Sequence, residues 1–321
     1  MKKRITLLLF IFLSFLVGGC EEKSEPEKEI VIGFSQLGSE SAWRERNTQS
    51  ILKAAEMTDY KILFANGQQK QNKQIKDLRS FIASRVDVIV LSPIVETGWE
   101  NVLEEAKEAD IPVILNDRSI VVDDPSLYKT LVGTDGIAQG RRAAEFLQKK
   151  FAGYEDSIEI VEITGTPGSS SAEKRGEGFR EIINTDPRFS IITSENGDYM
   201  LSKGKQVIRE LDQAGQLENI DVIFSHNDDM TVGIVEYLET TTIEPGKDIV
   251  IVSVDAQQEA IELLKAGKIN CTVECNPNSG PKLMTTINHL LNNGKLEKHN
   301  YLSEQVFSEF SDLAAIKDRG Y

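Results

Sequence analysis

Asn116, Asp117, Arg118 and Ser119 follow directly on the unbroken apolar run Ile111, Pro112, Val113, Ile114 and Leu115. A short apolar run bounded by polar residues reads as a buried strand. In an open α/β sheet, ligands sit just beyond the carboxyl ends of the strands. There Asp117 offers acceptors and Arg118 a rigid fork of donors, a pair suited to gripping a neutral polyhydroxylated molecule. The plainer reading is a turn with an ordinary Asp–Arg pair. Arg175 stands in the first turns of a predicted helix, where the dipole does nothing for a cation; a guanidinium placed for a purpose is favoured over a solvated one. Arg118 and Arg175 come from different halves of the chain and can close on a ligand from two sides. Trp43 lies beside the end of the first strand among polar neighbours, which favours a stacking platform over a core tryptophan.

Other chemistries lack their parts. The Gly-rich Thr164–Ser171 stretch is not followed by the Gly-Lys-Ser/Thr of a phosphate loop, and neither G-x-G-x-x-G nor G-x-S-x-G occurs in the expected place. His226 stands at a strand end beside Asn227 and Asp228, but no activated nucleophile accompanies it; it reads as a structural or ligand-rim histidine rather than a general base. Asp228, Asp229 and Asp255 match no metal-binding spacing, and acidic residues at helix N-termini are favoured anyway; no metal and no cofactor are expected. Cys271 and Cys275, four apart on one strand, would sit about 13 Å apart, beyond disulfide reach. Without a nearby histidine they make a poor zinc site and read as small core residues, unless the strand bends between them.

The elements that position these residues alternate. Strands 30–34, 60–65, 86–91 and 111–115 are separated by predicted helices after Ser41, over 74–84 and over 97–109. A second set begins near 131–135 and continues through strands 158–163, 190–194, 220–224, 249–254 and 269–273. The helices of that set are read over 136–150, 171–183, 201–214, 230–238 and 257–266, with a last helix over 281–292. Such alternation predicts parallel, doubly wound sheets. Polar residues recur at the strand ends: Gln36, Gln68, Ser92, Asp117, Thr166, Asn227, Asp255 and Glu274. One alone is a capping signal; eight in two successive sets predict two sheets whose carboxyl edges face a shared cleft.

The chain has 321 residues, 40% hydrophobic and 27% charged, enough for two domains. Its formal charge of −15 is a poor match to nucleic acid and disfavours an anionic ligand; it suits a neutral or cationic one. Lys2, Lys3 and Arg4 precede an apolar stretch over 5–17 that is too short for a comfortable membrane span and ends in Val17, Gly18, Gly19 and Cys20. That is the layout of a secretory signal peptide. Residues 21–29, rich in Glu, Lys, Ser and Pro, read as a solvated tether.

Taken together, several stretches carry a family resemblance: Gly33–Gln36 with Gly38–Ser41, Trp43 and Arg44; Asn66–Gln71; Thr97–Glu100; Asp117–Ser119; Ser202–Lys205; His226–Met230; and Asn276–Pro277 with Gly280–Pro281. With these, the chain resembles periplasmic-type sugar-binding proteins of the ribose/galactose-binding family, more narrowly the galactofuranose-binding proteins of ABC importers. The resemblance implies an α/β fold of two Rossmann-like lobes, the type I periplasmic binding protein fold, joined by a three-segment hinge with the ligand in the interlobe cleft. The N-terminal lobe is expected over 30–133 plus 276–298 and the C-terminal lobe over 134–275 plus 299–321. The resemblance makes Asp117, Arg118, Arg175, Asn227 and Asp255 hydrogen-bonding partners of sugar hydroxyls and Trp43 a stacking platform, with Ser35, Arg44 and Glu274 lining the site. Lys174 departs from the acidic residue of close relatives, which puts the fixation of Arg175 in question.

The segment before Cys20 is similar to a bacterial lipobox. This implies a lipid-modified Cys20 and a membrane anchor, placing the protein on the outer face of the cell membrane or in the periplasm. The partners implied are a monosaccharide and ABC permease subunits; the protein is expected to be a monomer without enzymatic activity. Rival readings are a sensor presenting sugar to a chemoreceptor or kinase, and a glycosidase using two carboxylates such as Asp117 and Asp255, for which no acid/base pair is identifiable. A LacI-type regulator would need a DNA-binding domain where the signal peptide stands.

Overall fold

The computed structural model describes residues 29–321; the signal peptide, Cys20 and nearly all of the tether lie outside the described residues. Two six-stranded sheets form the two lobes. The first half runs β1 (Ile30–Gln36), α1 (Ala42–Glu56), β2 (Tyr60–Asn66), α2 (Gln71–Ala83), β3 (Val88–Leu91), α3 (Glu100–Glu108), β4 (Val113–Asp117) and β5 (Thr130–Gly133). The second runs α4 (Gly136–Lys150), β6 (Ile158–Thr164), α5 (Ser170–Ile183), β7 (Phe189–Asn196), α6 (Leu201–Gln213), β8 (Val222–Ser225), α7 (Asp228–Leu238), β9 (Val250–Asp255), α8 (Gln258–Lys265) and β10 (Cys271–Glu274). The chain then returns to the first lobe as α9 (Gly280–Leu291) and β11 (His299–Tyr301), and ends in the second with β12 (Val306–Ser308).

The strand orders are β11-β5-β4-β3-β1-β2 and β12-β10-β9-β8-β6-β7. The second lobe repeats the strand order of the first, with α8 joining β9 to β10 where no α-helix joins β4 to β5. All pairings are parallel except that of β12 with β10. The apolar runs of β3, β4, β8 and β9 are fully buried, as strands covered by helices on both faces must be. Ile32, Phe34, Val88, Val90 and Ile114 pack against α1 and α9, and Ile89, Leu91 and Leu115 against α2 and α3; the second lobe has a core on each face of its sheet in the same way.

The chain crosses between lobes after β5, β10 and β11. Strand 299–301, assigned by sequence to the second lobe, pairs with β5 in the first sheet, so the third crossing lies at 302–305. Its alternating exposed residues carry no burial signal to assign them. The helix expected from Met230 starts at Asp228, because Asn227 is its N-cap: the Asn227 Oδ1 accepts from the Met230 N–H at 3.0 Å. Cys271 and Cys275 are both free and buried, with Cys275 just past the end of β10 on the second crossing.

Candidate functional site

The carboxyl ends of the two sheets face each other across a cavity between the lobes. It is lined from the first lobe by Glu40, Ser41, Trp43, Arg44, Asp117 and Arg118, from the second by Ser171, Arg175, Tyr199, Asn227 and Asp255, and at the hinge by Cys275. Of the nine ligand-binding residues expected from sequence, seven meet here.

Asp117 ends β4 and Asp255 ends β9, equivalent places in the two lobes. Both have a left-handed backbone, with φ of 66° and 130°, a conformation that costs energy and clusters at functional sites. Gly133 permits the first: a Cβ there would stand 2.9 Å from the Asp117 Cα. Arg44, fixed in the first turn of α1 behind its Ser41 cap, places Nη2 2.7 Å from Asp117 Oδ2 and donates through Nε to Glu40 Oε1 at 3.1 Å. Burial works against the Arg44 charge, but Asp117 and Glu40 outweigh it and hold its pKa above the usual value. Arg118 is held less tightly: Nη1 donates to the Ile94 carbonyl at 3.2 Å, while Glu40 and Asp117 lie at 3.8 and 3.9 Å. Burial and the neighbouring Arg44 push its pKa down.

In the second lobe, Arg175 Nε donates to Gln139 Oε1 at 2.8 Å and Nη1 to the His226 carbonyl at 2.5 Å, with Asp255 3.7 Å from Nη2. Its fixation therefore does not depend on residue 174. Burial pushes the Asp255 carboxyl up, the nearby Asp228 and Asp229 add to this, and Arg175 opposes it. Trp43 covers the hinge side; its indole N–H donates to the Cys275 carbonyl at 2.6 Å, and Arg44 stacks 4.7 Å from its ring. The Asn227 Nδ2 donates to the Tyr199 carbonyl at 3.3 Å.

Among the described residues, five buried polar atoms of the cavity lining have no hydrogen-bond partner in the protein: Glu40 Oε2, Arg44 Nη1, Asp117 Oδ2, Arg118 Nε and Tyr199 Oη. Asp117 Oδ2 is close to Arg44 as an ion pair but without hydrogen-bond alignment. Buried groups of this kind are rare and call for an explanation; a ligand carrying hydroxyls supplies both donors and acceptors to them. Three arginines and three acidic residues line the space, a formally balanced set that suits a neutral ligand.

The lobes are closed on one another. Ser119 N donates to Ser170 Oγ at 2.9 Å, Glu96 N to the Gly168 carbonyl at 2.9 Å, and Ala42 N to Asp229 Oδ1 at 3.3 Å. Lys174 Nζ donates to Ser119 Oγ across the cleft at 2.9 Å; the departure at this position makes an interlobe tie.

Two expected residues lie elsewhere. The Ser35 hydroxyl turns inside its own lobe, to Gln74 Nε2 at 3.4 Å. Glu274 accepts from Gln305 N at 2.9 Å and pairs with Arg319 near the C-terminus. His226 points away from the cavity to Glu162 Oε1, 3.1 Å from its Nε2; burial lowers its pKa. Among the described residues no group of three or more His, Cys, Asp or Glu side chains is arranged to hold a metal ion. Sequence reasoning missed Tyr199, whose ring lies 5.3 Å from the Arg118 guanidinium and 5.9 Å from that of Arg175. Its signal was available: Asn196-Gly197 repeats the turn of Asn66-Gly67, and both are followed by two residues of positive φ, Gln68 and Gln69 in one lobe and Asp198 and Tyr199 in the other.

Two doubly wound lobes closed over a buried, polar, charge-balanced cavity define a solute-binding protein of the periplasmic type. The family model of the periplasmic binding protein domain matches residues 32–295, and the chain belongs to that family. It is 43% identical over 254 residues to the galactofuranose-binding protein YtfQ of Escherichia coli (strain K12), covering 78% of this chain and 79% of the relative. A Mycobacterium smegmatis structure in complex with β-D-fucofuranose superposes with a TM-score of 0.87 at 40% identity, covering 91% of this chain and 95% of the other. The periplasmic binding component of the arabinose ABC transporter of Shewanella sp. ANA-3, bound to α- and β-L-arabinofuranose, gives 0.83 at 38% identity, covering 87% and 91%. Members of the family are binding proteins rather than enzymes and work outside the cytoplasm.

Proposed function

We propose that the chain captures a monosaccharide in its five-membered furanose form, galactofuranose or a close relative, and delivers it to an ABC importer. The observation that carries this is the cavity itself: Arg44, Asp117 and Arg118 from one lobe face Arg175, Asn227 and Asp255 from the other. The similar proteins that bind furanoses support the ring form. Each charge-assisted hydrogen bond contributes roughly 1.5–3 kcal/mol, and a sugar lacking the matching hydroxyl leaves a buried charge unpaired. The sugar binds the closed form better because both lobes touch it, so it shifts the population toward closure.

The basic, apolar and small-residue pattern ending at Cys20 supports a lipid anchor on the outer face of a membrane. Loss of fatty-acid labelling in Cys20→Ala is the expected result; undiminished labelling would remove the anchor. No helix of the described residues is long and apolar enough to cross a membrane.

Calorimetric titration with galactose tests the proposal. Galactose solutions hold a small furanose fraction. Selection of that form shows as saturation only after many equivalents of total sugar. Saturation at one equivalent would show that the pyranose is bound, and silence from galactose, arabinose and ribose alike would overturn the pocket assignment.

A further inference from the structure

Among the described residues, Arg175 is the only arginine on the second lobe's side of the cavity, and what holds it leads out of the cavity into the hinge. Its Nε donates to Gln139 Oε1 at 2.8 Å. The other end of the same amide, Gln139 Nε2, donates to Glu304 Oε1 at 2.8 Å. Glu304 sits on the third crossing, its side chain only 2% exposed, and Oε1 also accepts from the Asn276 N–H of the second crossing at 3.3 Å. Gln139 itself is in the first turn of α4, which the first crossing enters. One carboxylate thus ties the second and third crossings to the first turn of α4, which follows the first crossing, and reaches Arg175 through a single buried amide.

The polarity of this chain is fixed by chemistry. A guanidinium only donates, so Gln139 must turn its carbonyl to Arg175 and its NH2 to Glu304. An ionised carboxylate only accepts, so it holds the amide in that orientation. A donor or an apolar group at 304 would remove that hold.

We infer that Glu304, acting through Gln139, is a positioning residue that sets Arg175 for the ligand and ties its geometry to the hinge. The inference rests on the proposed sugar-binding function. It adds two residues, neither of which lines the cavity, and a link between lobe closure and binding. Burial raises the Glu304 carboxyl to about 7, against the pull of Gln139, the Asn276 N–H, Arg175 and Arg142. The charged and titratable groups facing it are Arg142 of α4 at 3.6 Å, Arg175 of α5 behind Gln139, and the Cys275 thiol on the second crossing, which Glu304 helps push up. Because the ionised form fixes the amide and the protonated form can donate instead, affinity rises with pH through about 7.

The test compares the wild-type protein with Glu304→Gln, Glu304→Leu and Gln139→Leu. Dissociation constants for arabinose and galactose are measured from pH 5.5 to 8.5, together with thermal unfolding of the sugar-free proteins. Glu304→Leu and Gln139→Leu should each weaken binding about tenfold or more, with the double variant no worse than either single one, because both break the same chain. Glu304→Gln, which keeps an acceptor oxygen, should recover part of the affinity and lose the rise through pH 7. Wild-type affinity in Glu304→Leu, additive losses in the double variant, or an unchanged pH profile in Glu304→Gln would each overturn the inference. If Glu304→Leu does not fold, the Glu304→Gln profile decides. A wild-type protein that binds none of the sugars contradicts the proposed function instead; the relay is then decided by the sugar-free crystal structure of Gln139→Leu. Arg175 displaced from its contact with the His226 carbonyl is the expected result, and an unmoved guanidinium the contrary one.

Discussion

Asp117 does three things at once: it ends the strand, takes a left-handed backbone and faces Arg44 at 2.7 Å. Asn tolerates that backbone conformation, so Asp117→Asn removes the charge without forcing the turn. Binding should weaken by about 1.5–3 kcal/mol, roughly 10- to 150-fold, while unfolding stays cooperative. Calorimetry with unfolding on the same sample checks this, and near-normal affinity would remove Asp117 from the site. Residue type at a strand end is a good guide to the site but not a sufficient one. Ser35 and Glu274 carry the same signal as Asp117 and Asp255, yet their side chains turn to Gln74 and Arg319. Successive strand residues point to opposite faces, and a single polar residue past an apolar run does not say which face it takes. Glu40, Tyr199, Gln139 and Glu304 were harder still, because their places depend on turns and on where distant segments cross.

At the scale of elements the sequence was far more legible. Val- and Ile-rich runs separated by amphipathic stretches leave little choice but parallel strands and covering helices, and the structure has them in that order. The misplacements were at ends: α3 begins at Glu100 rather than Thr97, β7 extends to Asn196, and β11 joins the first sheet. Caps and hinge crossings set those ends, not periodicity. What periodicity does not reveal is how close two helices come. Gly140 of α4 lies against α5, where a Cβ would stand 2.1 Å from the Arg175 carbonyl; Gly178 of α5 answers it, its Cβ position 2.1 Å from the Ile137 carbonyl. Glycine at both contacts lets α5 approach α4 closely, and α5 carries Arg175. Gly140→Ala should therefore cost about 1–3 kcal/mol of stability through overpacking and weaken sugar binding as well. Denaturant midpoints and calorimetry measure the two effects; an alanine accepted without loss of either would contradict this account of how α5 is placed.

The whole molecule is two lobes of the same strand order, joined by three crossings and closed over a cavity between them. Its two edge-on sheets bring Asp117 and Asp255 to equivalent positions, and each lobe contributes at least one arginine to the space between. Neither lobe alone surrounds a sugar. On the proposed function, binding and closure are one event, with sugar hydroxyls taking up the polar atoms that the protein leaves without partners around the cavity. The most direct measurement is a crystal structure of the protein grown with galactose. The account predicts a furanose ring in closed lobes, within hydrogen-bond reach of both Asp117 and Arg175. A pyranose ring, or a sugar held by one lobe with the other swung away, would contradict it.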